Sequence, residues 1–146
     1  EDVSFVRHPE EAQAVLQEYF LRGIKRAVIN VHLEGDLVKF YGVNGTPFFY
    51  WFYPFDAGHS KYGWEEVNGK SQGIKFDEKN FKAICQQAAT ELNVEIYGGD
   101  CIVAPDGQIR IIDFNDWPSF APCRTEAAPY IAKRVLAIVK SAQEKK

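Results

Sequence analysis

Asp100, Asp113 and Asn115 are the residues whose types and spacing suggest chemistry. They lie in the stretch Tyr97 to Phe120, Y-G-G-D-C-I-V-A-P-D-G-Q-I-R-I-I-D-F-N-D-W-P-S-F. Asp100-Cys101-Ile102-Val103 leads into Pro105-Asp106-Gly107, and Ile109 to Phe114 returns as an apolar, β-branched run. This is the pattern of a β-hairpin with Asp-Gly at its turn. Alternation along the return arm predicts Ile109, Ile111, Asp113 and Asn115 on one face, with Arg110, Ile112 and Phe114 on the other. Antiparallel pairing across the turn then brings Asp100 close to Asp113.

Two carboxylates about 4 Å apart repel by about 4 kcal/mol at an effective dielectric of about 20, so a fold that keeps them needs a proton, an Arg or a cation between them. Two acids and an amide form an all-oxygen donor set. Such a set suits Mg²⁺, which keeps several waters and takes its remaining ligands from substrate phosphates. The residues therefore point to a nucleotide. The competing reading is that the two Asp are solvated strand ends and Asn115 caps a turn.

Asp100, then Asp113 with Asn115 two residues on, followed by Trp117-Pro118-Ser119-Phe120, resembles the metal-binding end of ATP-grasp enzymes. Upstream, Asn30-Val31-His32-Leu33-Glu34-Gly35-Asp36 is similar to the strand and hinge where that family grips adenine. Lys39 resembles the basic residue beyond the hinge that faces phosphates or substrate. The resemblance runs from about Ala27 to the C-terminal helix and is nearest to RimK-like ligases and inositol phosphate kinases. It implies one or two Mg²⁺ on Asp100, Asp113 and Asn115, and ATP at Asn30, Leu33, Glu34 and Lys39. Lys39, Ser119 and Arg124 would then meet the reacting groups. A carboxylate acceptor would give an acyl phosphate that an amine displaces, and a hydroxyl acceptor would make the protein a small-molecule kinase. The ligase is the expectation, with an unknown small molecule or peptide as acceptor. A non-catalytic nucleotide-binding scaffold is the alternative from another class. Many family members carry a basic residue just before the first metal acid, where this chain has Gly98-Gly99.

The implied fold is α+β: the C-terminal subdomain of ATP-grasp, with a mixed, largely antiparallel sheet packed with helices. A chain of 146 residues reads as a single domain over 1–146, long enough to bury about 68% of its unfolded surface. The resemblance places the family's other phosphate-gripping lysine on strands before Glu1, so the chain is expected to be a piece of a longer protein. Cys85, Cys101 and Cys123 form no C-x-x-C pair, which suits reduced thiols in the cytoplasm. A net charge of −3 with interspersed signs argues against a nucleic-acid or membrane-surface partner.

These residues must be positioned by the elements around them. Val3 to Val6 reads as a short strand, and Pro9 opens a helix that Gly23 ends. Ala27 to Val31 reads as a buried strand. Lys39, Tyr41 and Val43 share a strand face. Pro47 to Phe55 is almost all aromatic and reads as a strand buried on both sides. Asp56 to Phe76, with His59, Lys61, Tyr62 and Trp64, reads as a loop that covers substrate. Asp77 caps a helix with Phe81, Ile84, Cys85, Ala88 and Leu92 inward. The last helix, from about Glu126 to Glu144, reads as buried along Ile131, Val135, Ile138, Val139 and Ala142.

Overall fold

The computed structural model describes residues 3–54 and 70–144. Over the described residues the chain is a mixed α+β fold with one four-stranded antiparallel sheet and three α-helices. It divides into two compact units, Glu1–His32 and Leu33–Lys146. Among the described residues no helix is long and apolar enough to cross a membrane.

The first unit is built on α1 (Pro9–Leu21). His8 is extended ahead of Pro9, and Glu11 reaches back so that its Oε2 accepts from the Arg7 amide at 2.8 Å. Gly23 closes the helix at φ +81°, where a side chain would be strained, and Ile24 N–H returns to Tyr19 O. Residues 3–6 form no strand, and neither does Ala27 to Val31. Val28, Ile29 and Val31 are 86%, 77% and 81% exposed. Their β-branched run has strand propensity, but a strand exists only through a paired neighbour, and this unit contains no strand among its described residues.

The second unit carries the sheet, made of β1 (Asp36–Val43), β2 (Phe49–Phe52), β3 (Ile96–Val103) and β4 (Ile109–Asp116). Their order is β2-β1-β3-β4 and every pairing is antiparallel. Helix α2 (Glu78–Glu91) starts at Asp77, whose carboxylate accepts from Lys79 N–H and Asn80 N–H as the sequence predicts. Phe81, Cys85 and Ala89, spaced one turn apart, bury against Val38, Phe40, Tyr97, Cys101 and Val103. Leu92, expected inward, lies past the end of the helix and is exposed.

A second cluster forms at one end of the opposite sheet face: Val43, Phe48, Ile96, Phe120, Cys123 and Ala127, flanked by Tyr130 and Ile131. It receives the start of α3 (Arg124–Glu144). Arg134 Nε then pairs with Glu95 Oε2 at 2.6 Å. Beyond this point the expected buried stripe does not form, and Val135, Ile138 and Val139 are exposed. A helix of 21 residues is about 31 Å long at 1.5 Å per residue. Its apolar period therefore outruns the sheet end beneath it.

Asp36 is a buried carboxylate at the start of β1. Its two oxygens accept from the backbone N–H groups of Gln72 (2.6 Å) and Ile74 (2.8 Å), which satisfies the charge and pins residues 72–74 to the sheet.

The β3–β4 pairing contains a bulge. Asp100 pairs with Asp113, but Cys101 pairs with Ile111, which leaves Ile112 as an extra residue. The bulge overturns the predicted alternation. Ile109 and Ile111 pack on the core with Phe114, and Asp113 and Asn115 face the other way. Gly99 makes this possible, since a Cβ there would lie 2.0 Å from the Asp113 carbonyl oxygen. Gly99→Ala is predicted to cost about 3 kcal/mol in urea unfolding, as a backbone clash in a paired strand. Gly73→Ala, where the cost is only the positive φ in open space, should cost about 1 kcal/mol.

Candidate functional site

Two cross-strand rows place the site on the sheet face away from α2. The register aligns Phe52, Lys39, Asp100 and Asp113 across the four strands. The next row on that face is Tyr50, Tyr41, Gly98 and Asn115. Strands are spaced by about 5 Å, so each row runs about 15 Å from an aromatic end to an oxygen-rich end.

The register sets Asp100 opposite Asp113, with Asn115 two residues further along β4 on the same face. Asp113 and Asn115 lie on β4, at the edge of the sheet, and are exposed. Asn115 Nδ2 donates to Asp113 Oδ2 at 2.5 Å, which turns the amide oxygen of Asn115 away from that carboxylate as a spare acceptor. Asp100 has a partner the sequence argument left unassigned. Lys39 Nζ donates to its Oδ1 at 2.8 Å, with the two side chains 26% and 24% exposed. The ammonium supplies the positive charge that two opposed acids require.

The loop after β4 shapes one side. Trp117 and Phe120 both hold positive φ, +46° and +50°, and Trp117 N–H returns to Ile96 O. Pro118 folds onto Gly98, where a Cβ would come within 2.8 Å of its ring, of Tyr41 and of the Phe40 carbonyl. Gly98 thus admits the loop beside Asn115, and Phe120 is buried on Tyr41 and Phe48. Ser119 does not join the acids. Its Oγ accepts from Ala121 N–H at 3.5 Å, which is a turn interaction at the start of the 3₁₀ turn Ala121–Cys123. Arg124 is exposed at the first turn of α3.

The expected adenine hinge is not formed as a strand and turn, because residues 24–34 have no regular structure. Asn30 belongs to the first unit, and Leu33 and Glu34 to the second. His59, Lys61, Tyr62 and Trp64 lie outside the described residues.

Sequence reasoning missed the aromatic end of the rows. The run Phe49 to Phe52 reads as buried on both faces, yet β2 is an edge strand whose residues are all half-buried. Phe49 and Trp51 pack on the α2 side. Tyr50 and Phe52 lie on the site face with Tyr41, whose ring stacks with Phe52 at 6.3 Å and 7°. The signal was the strict alternation of this run, hidden because both of its faces are aromatic. Burial raises the Tyr41 hydroxyl, followed by Cys123, Asp100 and Tyr50, so Tyr41 stays a neutral donor.

The donor set fits a hard divalent cation. It offers two carboxylates from cross-strand neighbours and an amide oxygen at a sheet edge, with no sulfur or imidazole. Among the described residues no three of His, Cys, Asp and Glu gather to hold a metal ion, so water and ligand oxygens would complete the shell. A groove of about 380 Å³ along α3, lined by Glu95, Arg134, Ala137, Ile138, Ser141 and Ala142, includes none of these residues.

Comparison with protein-family models, with curated proteins and with solved structures finds no match.

Two buried thiols flank the site. Burial, then Asp100, pushes Cys101 up to about 12, and burial, then Glu126, pushes Cys123 up to about 11, both from 9.0. Above pH 9 the unfolded chain releases these protons first, so the folded state binds more protons and loses stability as pH rises. The urea midpoint is predicted to fall between pH 9 and about 11, and Cys123→Ala should flatten that fall.

Proposed function

We propose that this chain is the ATP- and Mg²⁺-binding part of an ATP-dependent carboxylate-amine ligase of the ATP-grasp type, acting through an acyl phosphate. The observation that carries the reading is the cross-strand pair Asp100–Asp113, with Asn115 beside it and Lys39 in the same row. Lys39 offsets one of the two carboxylate charges, so the row keeps a net negative charge that a divalent cation would complement.

Asp100, Asp113 and Asn115 would hold one or two Mg²⁺, which when bound neutralises phosphate charge. Lys39, paired with Asp100 in the same row, would orient an anionic oxygen of the nucleotide or acceptor. Tyr41 would donate a hydrogen bond from the same face. Pro118 and Phe120, fixed over Gly98 and Tyr41, close one side of the site and limit water there. This chemistry consists of placing groups and offsetting charge, which is how phosphoryl transfer is accelerated. The adenine contacts expected at Asn30, Leu33 and Glu34 and the substrate roles expected of Ser119 and Arg124 belong to this same reading. The described geometry lends most support to Lys39 and the triad.

The test is a calorimetric titration of Mg²⁺-ATP into the chain, beside Asp113→Asn and an EDTA control. The expected outcome is binding that disappears with either the metal or Asp113, with a loss of at least about tenfold in the variant. Binding indifferent to both would refute the cation site. Steady ADP release with an added amine and carboxylate separates the ligase from a scaffold that only binds.

A further inference from the structure

Lys39 has a different kind of neighbour on each side. The strand order puts Asp100 on its β3 side and Phe52 on its β2 side, while Asp113 lies two strands away, about 10 Å. A cation held between Asp100 and Asp113 therefore leaves the β1–β2 flank of the row to a second ligand.

That flank carries more donors than acceptors. An ammonium has three donors, and among the described residues Lys39 gives one of them, to Asp100 Oδ1 at 2.8 Å. Tyr41 lies two residues along β1 on the same face, with Tyr50 as its cross-strand partner. Among the described residues neither phenol makes a hydrogen bond. Burial, then Cys123, Asp100 and Tyr50, raise the Tyr41 hydroxyl, so it keeps its proton at neutral pH and donates. Beside these donors the rings of Tyr41, Tyr50 and Phe52 pack on one another, with centroids 6.3 Å apart for Tyr41 and Phe52 and 5.9 Å apart for Tyr50 and Phe52.

The chemistry of the flank selects among ligands. A cation is disfavoured, because the charge next to Phe52 is the Lys39 ammonium, and its repulsion outweighs the pull of a partly solvated ring. A small anion would use the donors and gain nothing from the aromatic cluster. A ligand that carries both an oxygen anion and an aromatic ring engages both, and offset or edge-on ring contacts add to the area it buries.

We propose that this flank takes the acid substrate, and that the acid is an aryl-substituted carboxylic acid, with its carboxylate on Lys39 and Tyr41 and its ring against Tyr50 and Phe52. The inference rests on the ligase reading and deepens it by naming the class of the acid. Ring and carboxylate would be one strand spacing apart, about 5 Å, which a two-carbon tether spans.

The experiment titrates the full chain with 3-phenylpropionate and follows amide NMR shifts, without metal or nucleotide. Two controls divide the ligand: 3-phenylpropanol keeps the ring without the charge, and propionate keeps the charge without the ring. 3-Phenylpropionate is expected to shift Lys39, Tyr41, Tyr50 and Phe52 most, and to bind about tenfold more tightly than either control. In Lys39→Met the acid should lose its advantage over the alcohol, while the alcohol binds as in wild type. Lys39→Gln provides a second removal of the charge should the Met variant fail to fold by circular dichroism. Equal binding of acid and alcohol in wild type, shifts centred on other residues, or no shifts at millimolar ligand overturns the inference. So does a folded, uncharged variant that keeps the preference for the acid. If the acid binds as expected while Mg²⁺-ATP does not bind, the nucleotide reading falls and the acid site stands. If Mg²⁺-ATP binds through Asp113 and the acid shows no preference, the acid site falls and the nucleotide reading stands.

Discussion

The close approach of β3 and β4 at Gly99 is the constraint on which the site depends. With a Cβ at that position 2.0 Å from the Asp113 carbonyl, no other residue lets the strands meet there. The meeting point is also where Ile112 is squeezed out of the ladder. One extra residue reverses the faces of everything beyond it. Without the bulge, Asp113 and Asn115 would lie on the same face as Ile109 and Ile111 and be driven into the α2 core. With it, a strand can send isoleucines inward at one end and acids outward at the other.

The same sheet serves two cores of different depth. Against α2 it is closed by Phe81, Cys85 and Ala89 with Phe40 at the centre, an arrangement of edge-on aromatic contacts. On the other face the cover stops at Phe120, Cys123 and Ala127. Among the described residues of the second unit, Asp113 and Asn115 are exposed beyond that cover, and Lys39 and Asp100 are half-buried. The opposed acids are held by Lys39, which pairs with Asp100, and by the Asn115 amide, which donates to Asp113.

Much of this was legible in the sequence because it depends on local rules. The Asp-Gly turn, the Asp77 cap, the Gly23 helix end and the shared face of Lys39, Tyr41 and Val43 all follow from a few adjacent residues. Counting back from the turn brings Asp100 opposite Ile112, one residue short of Asp113, and the bulge supplies that last step of register. The failures share a different cause. Whether Ala27 to Val31 becomes a strand, whether Val135 to Val139 is covered, and whether Phe49 to Phe52 is central or at an edge depend on neighbours distant in sequence. The bulge was signalled only by Gly98-Gly99, which marked a close approach without saying which strand would carry the extra residue. The Lys39–Asp100 contact joins residues 61 apart and appears only once β1 is set beside β3.

The most direct test of the account is where a paramagnetic cation sits. Amide NMR spectra of the chain with substoichiometric Mn²⁺ and ATP should show broadening centred on Gly98 to Asp100 and Asp113 to Asn115, reaching Lys39 on β1 and fading toward α2. Broadening centred elsewhere, for example on the Glu10–Glu11 turn or at Glu95, or none at millimolar Mn²⁺-ATP, would contradict the claim that the bulged hairpin is a cation site.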